Sequence, residues 1–203
     1  MSSPSSGTLL DHSVVAVATA ATVPVRVGIA LVAAGLTAAA AQFTTTVPFT
    51  ALPFTLTPIV VLLSGAVLGS RLGALSQVMY VLAGAVGLAV FSPSLTLPPG
   101  ALRLMGPTGG YLMAYPLAAF ATGWLSEHGW DRRYLTSFAA MLAGLGVIYL
   151  GGVSWLAATF LPSPGAAVAA GIAPFLVLDV LKVAAAAMIL PQAWRLLGRR
   201  LTQ

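Results

Sequence analysis

Two charges stand inside an apolar run toward the end of the chain: Asp179 and Lys182, in Phe175-Leu-Val-Leu-Asp179-Val-Leu-Lys182-Val-Ala. Their i, i+3 spacing places both on one face of a helix, where a carboxylate and an ammonium can pair or hold a polar solute. A charge at the centre of a bilayer costs roughly 2.5–3.5 kcal/mol on insertion scales, so such residues turn toward a bundle interior. The pair therefore reads either as a ligand site or as a structural ion pair that bridges helices. Lys182 is the one lysine of the chain.

Three further residues carry polar chemistry in apolar surroundings. Arg103 offers a planar, two-pronged donor that suits a carboxylate, or it is a loop arginine at the headgroup level. Gln77 and Tyr80, again i, i+3, can hydrogen-bond a ligand or join their helix to a neighbour, as polar groups do between membrane helices. Enzyme chemistry lacks its inventory. There is no cysteine, and the two histidines, His12 and His128, lie in the N-terminal stretch and in the charged segment Glu127–Arg133. No HExxH, P-loop or dinucleotide fingerprint occurs, so the chain is expected to be no enzyme and to hold no metal.

The elements that must position these residues are membrane helices. Of 203 residues 59% are hydrophobic and 6% charged, and the mean hydropathy is +0.98. A soluble domain of this size cannot bury so much apolar surface, so lipid must solvate it. The pI of about 10.3 does not indicate nucleic acid, because the nine basic residues form no contiguous patch.

Cutting the chain at Pro, Gly and charge clusters leaves apolar stretches near residues 26–42, 58–70, 73–91, 108–126, 134–161 and 166–192, predicting an all-α protein of six transmembrane helices. The second and third, separated by Ser70-Arg71-Leu72, form a tight hairpin, and the fifth is long enough to tilt. Residues 44–58, with the small duplication Pro48-Phe49-Thr50 and Pro53-Phe54-Thr55, predict an ordered loop or lid over the bundle. Residues 1–25 read as a retained tail or interfacial helix, 26–194 as the bundle and 195–203 as a basic cytoplasmic tail.

With both termini cytoplasmic, six spans place Arg26, Arg71, Arg132, Arg133, Arg195, Arg199 and Arg200 on the cytoplasmic side, as the positive-inside rule asks. Arg103 and Lys182 are the two exceptions. In the first helix, Ala30, Ala34 and Ala38 form a small-residue stripe that permits close approach of another helix, internal or from a partner.

Taken together, several runs resemble the BioY family, the biotin-binding S components of energy-coupling factor (ECF) transporters. The resemblance covers about Val47 to Lys182. It rests on Pro53-Phe54-Thr55-Leu56, on Leu63-Ser-Gly-Ala-Val-Leu-Gly69-Ser-Arg71-Leu-Gly73-Ala74-Leu75-Ser76, on Tyr80, Gly84, Gly87-Leu88 and Phe91, on Gly106-Pro107-Thr108-Gly109-Gly110-Tyr111-Leu112, and on Asp179-x-x-Lys182. Thr57 stands where the family has Gln, and Ala89 where it has Pro.

The resemblance implies a six-helix S-component bundle in the cytoplasmic membrane of a prokaryote that captures biotin from outside. It implies a transmembrane coupling subunit and two cytoplasmic ATPases as partners, docking through Ala30, Ala34 and Ala38, with ATP hydrolysed only by those partners and no cofactor in this chain. Biotin's chemistry matches the polar inventory. Asp179 would accept from the urea N–H groups, Lys182 would donate while balancing Asp179, and Arg103 would take the carboxylate, with Tyr80, Gln77 and Tyr111 completing the pocket. The competing expectations are an S component for another vitamin and a structural membrane subunit.

Overall fold

The computed structural model describes residues 23–45, 52–94, 97–193 and 195. Among them the chain forms eight helical segments and one two-stranded antiparallel pair. The first helix, α1, is Val23–Gln42. The strands β1, Thr44–Thr45, and β2, Phe54–Thr55, pair Thr44 with Thr55 and Thr45 with Phe54. They anchor the predicted lid, whose residues 46–51 lie outside the described ones.

A tight hairpin follows: α2, Thr57–Leu68, and α3, Ser70–Ala85. Pro58 at the start of α2 suits the first turn, where a backbone N–H has no partner to lose. The turn itself is Gly69, at φ 85, a backbone region that favours glycine. It lies one residue before the predicted break, so Ser70-Arg71-Leu72 opens α3 instead of linking the helices. The helix then stops at Ala85, short of the expected 91.

Beyond it, the one-turn α4, Leu102–Met105, leads to α5, Gly109–Glu127, and α6, Tyr134–Thr159. The sixth predicted helix is two: α7, Pro164–Gly171, and α8, Leu176–Ala187. Pro174 has no N–H to continue the ladder and restricts Ala173 before it. The chain re-enters helix through Phe175 and Leu176, whose N–H groups both donate to the Ile172 carbonyl.

The helix α5 sits at the centre, packed on α2, α3 and α6. Glycines set its distances: a Cβ on Gly65 of α2 would strike the Ala119 backbone, and one on Gly123 would lie 2.6 Å from the Gly69 carbonyl carbon. Large apolar side chains such as Leu117, Leu135, Leu150 and Val177 are exposed. That surface requires lipid as its solvent. Among the described residues three helical stretches are long and apolar enough to cross a bilayer: Val23–Gln42, Tyr134–Thr159 and Leu176–Ala193. The chain is thus a helical membrane protein.

One expectation about α1 fails. Ala30 and Ala34 are buried inside the chain, and Ala38 is half-buried against the core. The helix lies on α2 and α3, so the alanine stripe is the internal packing face and is unavailable for docking a partner. The small side chains let the helix axes approach, which is the intramolecular use of such a pattern.

Candidate functional site

A cavity opens between the lid, α3, α5, α6 and α8, lined by Leu52, Pro53 and Thr55 from the lid and by Tyr80, Tyr111, Tyr149, Phe175 and Asp179. Its volume, by the space open to the centres of water molecules, is about 80 Å³, room for several waters. Leu112, Ile148 and Phe175 supply apolar wall, and Asp179, Tyr80, Tyr111 and Tyr149 bring polar groups to it. An apolar chamber with a few placed polar groups is how small-molecule sites are usually built.

Asp179 is the cavity's charged group. It is buried, and its Oδ2 accepts from the Tyr149 hydroxyl at 2.8 Å while its Oδ1 accepts from Lys182 Nζ at 3.0 Å. A carboxylate has about four lone-pair sites, so two remain for a ligand. Lys182 is not in the cavity wall. Its ammonium pairs with Asp179 and donates to the Thr55 carbonyl of β2 at 3.0 Å, tying the lid to α8. Phe54 of the same strand packs on Phe175 with ring centroids 4.4 Å apart, so the lid is held by one charge-assisted bond and one aromatic contact.

Tyr80 is 1% exposed, its hydroxyl has no hydrogen-bond partner among the described residues, and it lines the cavity. Its ring is fixed edge-on by Phe91 and stacked on Tyr115, at 5.5 and 6.3 Å. Leaving a buried hydroxyl unpaired costs about 1–3 kcal/mol. Tyr111 also lines the cavity, and its hydroxyl donates to the Gly171 carbonyl at 2.9 Å. That carbonyl is free because the break after α7 sends the Phe175 N–H to Ile172 instead.

Arg103 is buried beside the cavity and outside its wall. Its guanidinium donates to the carbonyls of Ser92 and Leu97, and Ser92 itself lines the cavity. The Arg103 Nε is buried without a partner among the described residues. Burial lowers the arginine's pKa, with Tyr80 opposing the shift.

Gln77 stands apart from these residues. Fully buried, its Nε2, with two N–H donors, lies 3.0–3.2 Å from the hydroxyls of Thr37 of α1, Ser64 of α2 and Ser76 of α3. Each of those hydroxyls donates to a carbonyl of its own helix. Gln77 therefore joins three helices, one turn away from the cavity that Tyr80 lines. Sequence reasoning missed Tyr149, whose place in an apolar helix carries no local mark.

The fold and this cavity define a class: a helical membrane protein with a mostly apolar chamber that carries a few polar groups beneath a lid. A crystal structure of the S-component for biotin from an ECF-type ABC transporter superposes with a TM-score of 0.74 at 18% identity, covering 84% of this chain and 90% of that one. The two share a fold. The BioY family model matches residues 13–199. The biotin transporter BioY of Thermotoga maritima is 39% identical over 143 residues, covering 70% of this chain and 81% of that protein. A probable biotin transporter BioY of Pyrococcus horikoshii is 43% identical over 137 residues, covering 68% and 77%. The chain belongs to the BioY family.

Proposed function

We propose that this protein is the substrate-binding subunit of a biotin transporter, capturing biotin from outside a prokaryotic cytoplasmic membrane. It acts by binding, and the chemistry of uptake falls to partner subunits: a transmembrane coupling protein and two ATPases. The helices α1, α2, α3, α5, α6 and the pair α7–α8 would make six crossing segments, with both termini cytoplasmic. Residues 26–194 would be the binding domain, flanked by the tails 1–25 and 195–203.

The observation that carries the reading is the coincidence, in one cavity, of a buried carboxylate with acceptor sites to spare and a buried tyrosine hydroxyl with no partner. Biotin's ureido ring presents N–H donors and a carbonyl acceptor. Asp179 would accept the N–H groups, and the Tyr80 hydroxyl would donate to the ureido oxygen. The thioether ring and aliphatic chain suit Leu112, Ile148 and Phe175. Lys182 would act through Asp179, orienting its carboxylate, while holding the lid by Thr55. Arg103 would offer its unused Nε–H to the ligand carboxylate across the Ser92 segment, and Tyr111 would shape the wall by holding Gly171.

Equilibrium binding of labelled biotin to the purified protein tests this. Binding is expected to be lost in Asp179→Asn and Lys182→Ala and to resist excess riboflavin, thiamine or pantothenate. Unchanged binding in both variants would refute the placement, and displacement by one of those vitamins would assign the cavity to another solute.

A further inference from the structure

A second cavity lies at the end of the bundle remote from the lid. It is lined by Arg132, Arg133 and Tyr134 at the start of α6 and by Met188, Pro191, Gln192 and Arg195 beyond α8. Two segments some 60 residues apart in sequence bring three guanidinium groups around one space. Among the described residues that line it, none is acidic. Like charges held together repel, and neither Arg133 nor Arg195 has an ion-pair partner among the described residues. The same space receives the positive end of α6: Arg133 is its N-cap and supplies no side-chain cap, and the first turn's N–H groups have no intrahelical partner. Topology explains why arginines are on this side of the membrane, but not why they converge on one cavity.

Tyr134 and Met188 of its lining, and Leu135 and Ile189 next to them in sequence, are 41%, 49%, 75% and 54% exposed, apolar side chains that acyl chains can cover. We propose that this cavity binds the phosphate of an anionic phospholipid headgroup, with the lipid tails lying along Leu135, Met188 and Ile189. Planar guanidiniums grip phosphate oxygens through paired donors, and basic pockets between membrane helices on the cytoplasmic side hold such headgroups. The site rests on the membrane reading but not on biotin. An acidic partner protein would match the arginines and leave those apolar side chains uncovered.

The test uses the full chain in nanodiscs of mixed phosphatidylglycerol and phosphatidylcholine, released into the mass spectrometer. The wild type is expected to keep bound phosphatidylglycerol. At about fivefold per arginine, the double variant Arg133→Gln, Arg195→Gln should retain about twenty-five-fold less, and the control Arg71→Gln should retain as much as the wild type. Biotin binding by the double variant checks its fold and separates the two proposals. If that variant does not fold, Arg133→Lys with Arg195→Lys is expected to weaken retention by a smaller factor, because the charges stay and the paired donors go. Equal retention in both double variants, or equal loss in Arg71→Gln, would overturn the proposal. So would thermal stabilisation in detergent by inorganic phosphate but not by phosphatidylglycerol.

Discussion

At the scale of single residues, the division of labour among the polar groups decides the account. Asp179 and Lys182 were legible because two charges in an apolar helix are conspicuous, yet their roles differ: one faces the cavity and the other braces it. Tyr149 was invisible, since a tyrosine in a membrane helix reveals nothing until the fold sets its hydroxyl 2.8 Å from Asp179. Tyr149→Phe removes a hydrogen bond to a charged group worth about 1.5–3 kcal/mol, and should weaken biotin binding about 10- to 100-fold in an equilibrium titration. Gln77 had two readings, a ligand contact shared with Tyr80 or a joint between helices, and Thr37 of α1 and Ser64 of α2 favour the second. Gln77→Ala should lower stability by about 1–3 kcal/mol in thermal unfolding while leaving biotin affinity unchanged. A large loss of affinity with intact stability would return Gln77 to the site.

At the scale of elements, hydrophobic runs located the helices well and their breaks less well. The hairpin of α2 and α3 was plain from the Ser-Arg-Leu interruption, although its turn falls one residue earlier, at Gly69. The division of the last helix was missed, although Gly171 and Pro174 both marked it, because the apolar run continues through them and hydropathy alone does not register a missing N–H. That break has a use at the site, since it frees the Gly171 carbonyl for Tyr111. Tyr111→Phe should weaken binding by loosening the wall, read as a faster biotin off-rate. Helix contact is set by glycine. A Cβ on Gly73 would lie 2.7 Å from the Gly65 Cα, and one on Gly65 would collide with the α5 backbone. Gly65→Val is expected to abolish the folded, monodisperse protein in size-exclusion chromatography, whereas Gly146→Ala, with nothing within 4 Å of its added Cβ, should elute like the wild type.

At the scale of the whole molecule, composition established a membrane protein and arginine placement suggested its orientation. The alanine stripe left its partner open, internal or another subunit, because a small-residue pattern permits close helix approach without saying which helix approaches. The fold instead spends that face on α2 and α3. Orientation is tested by a reporter fused after Gln203, which should be found in the cytoplasm. The bundle can then be seen as a frame with two ends: a lid pinned by Lys182 over the chamber, and an arginine-lined space at the opposite end. The central claim concerns the chamber. Mass spectrometry of the purified protein, freed of detergent after incubation with a mixture of vitamins, should show one bound biotin per chain in the wild type and none in Asp179→Asn. Biotin retained equally by Asp179→Asn, or a wild-type chain that holds no biotin, would contradict it.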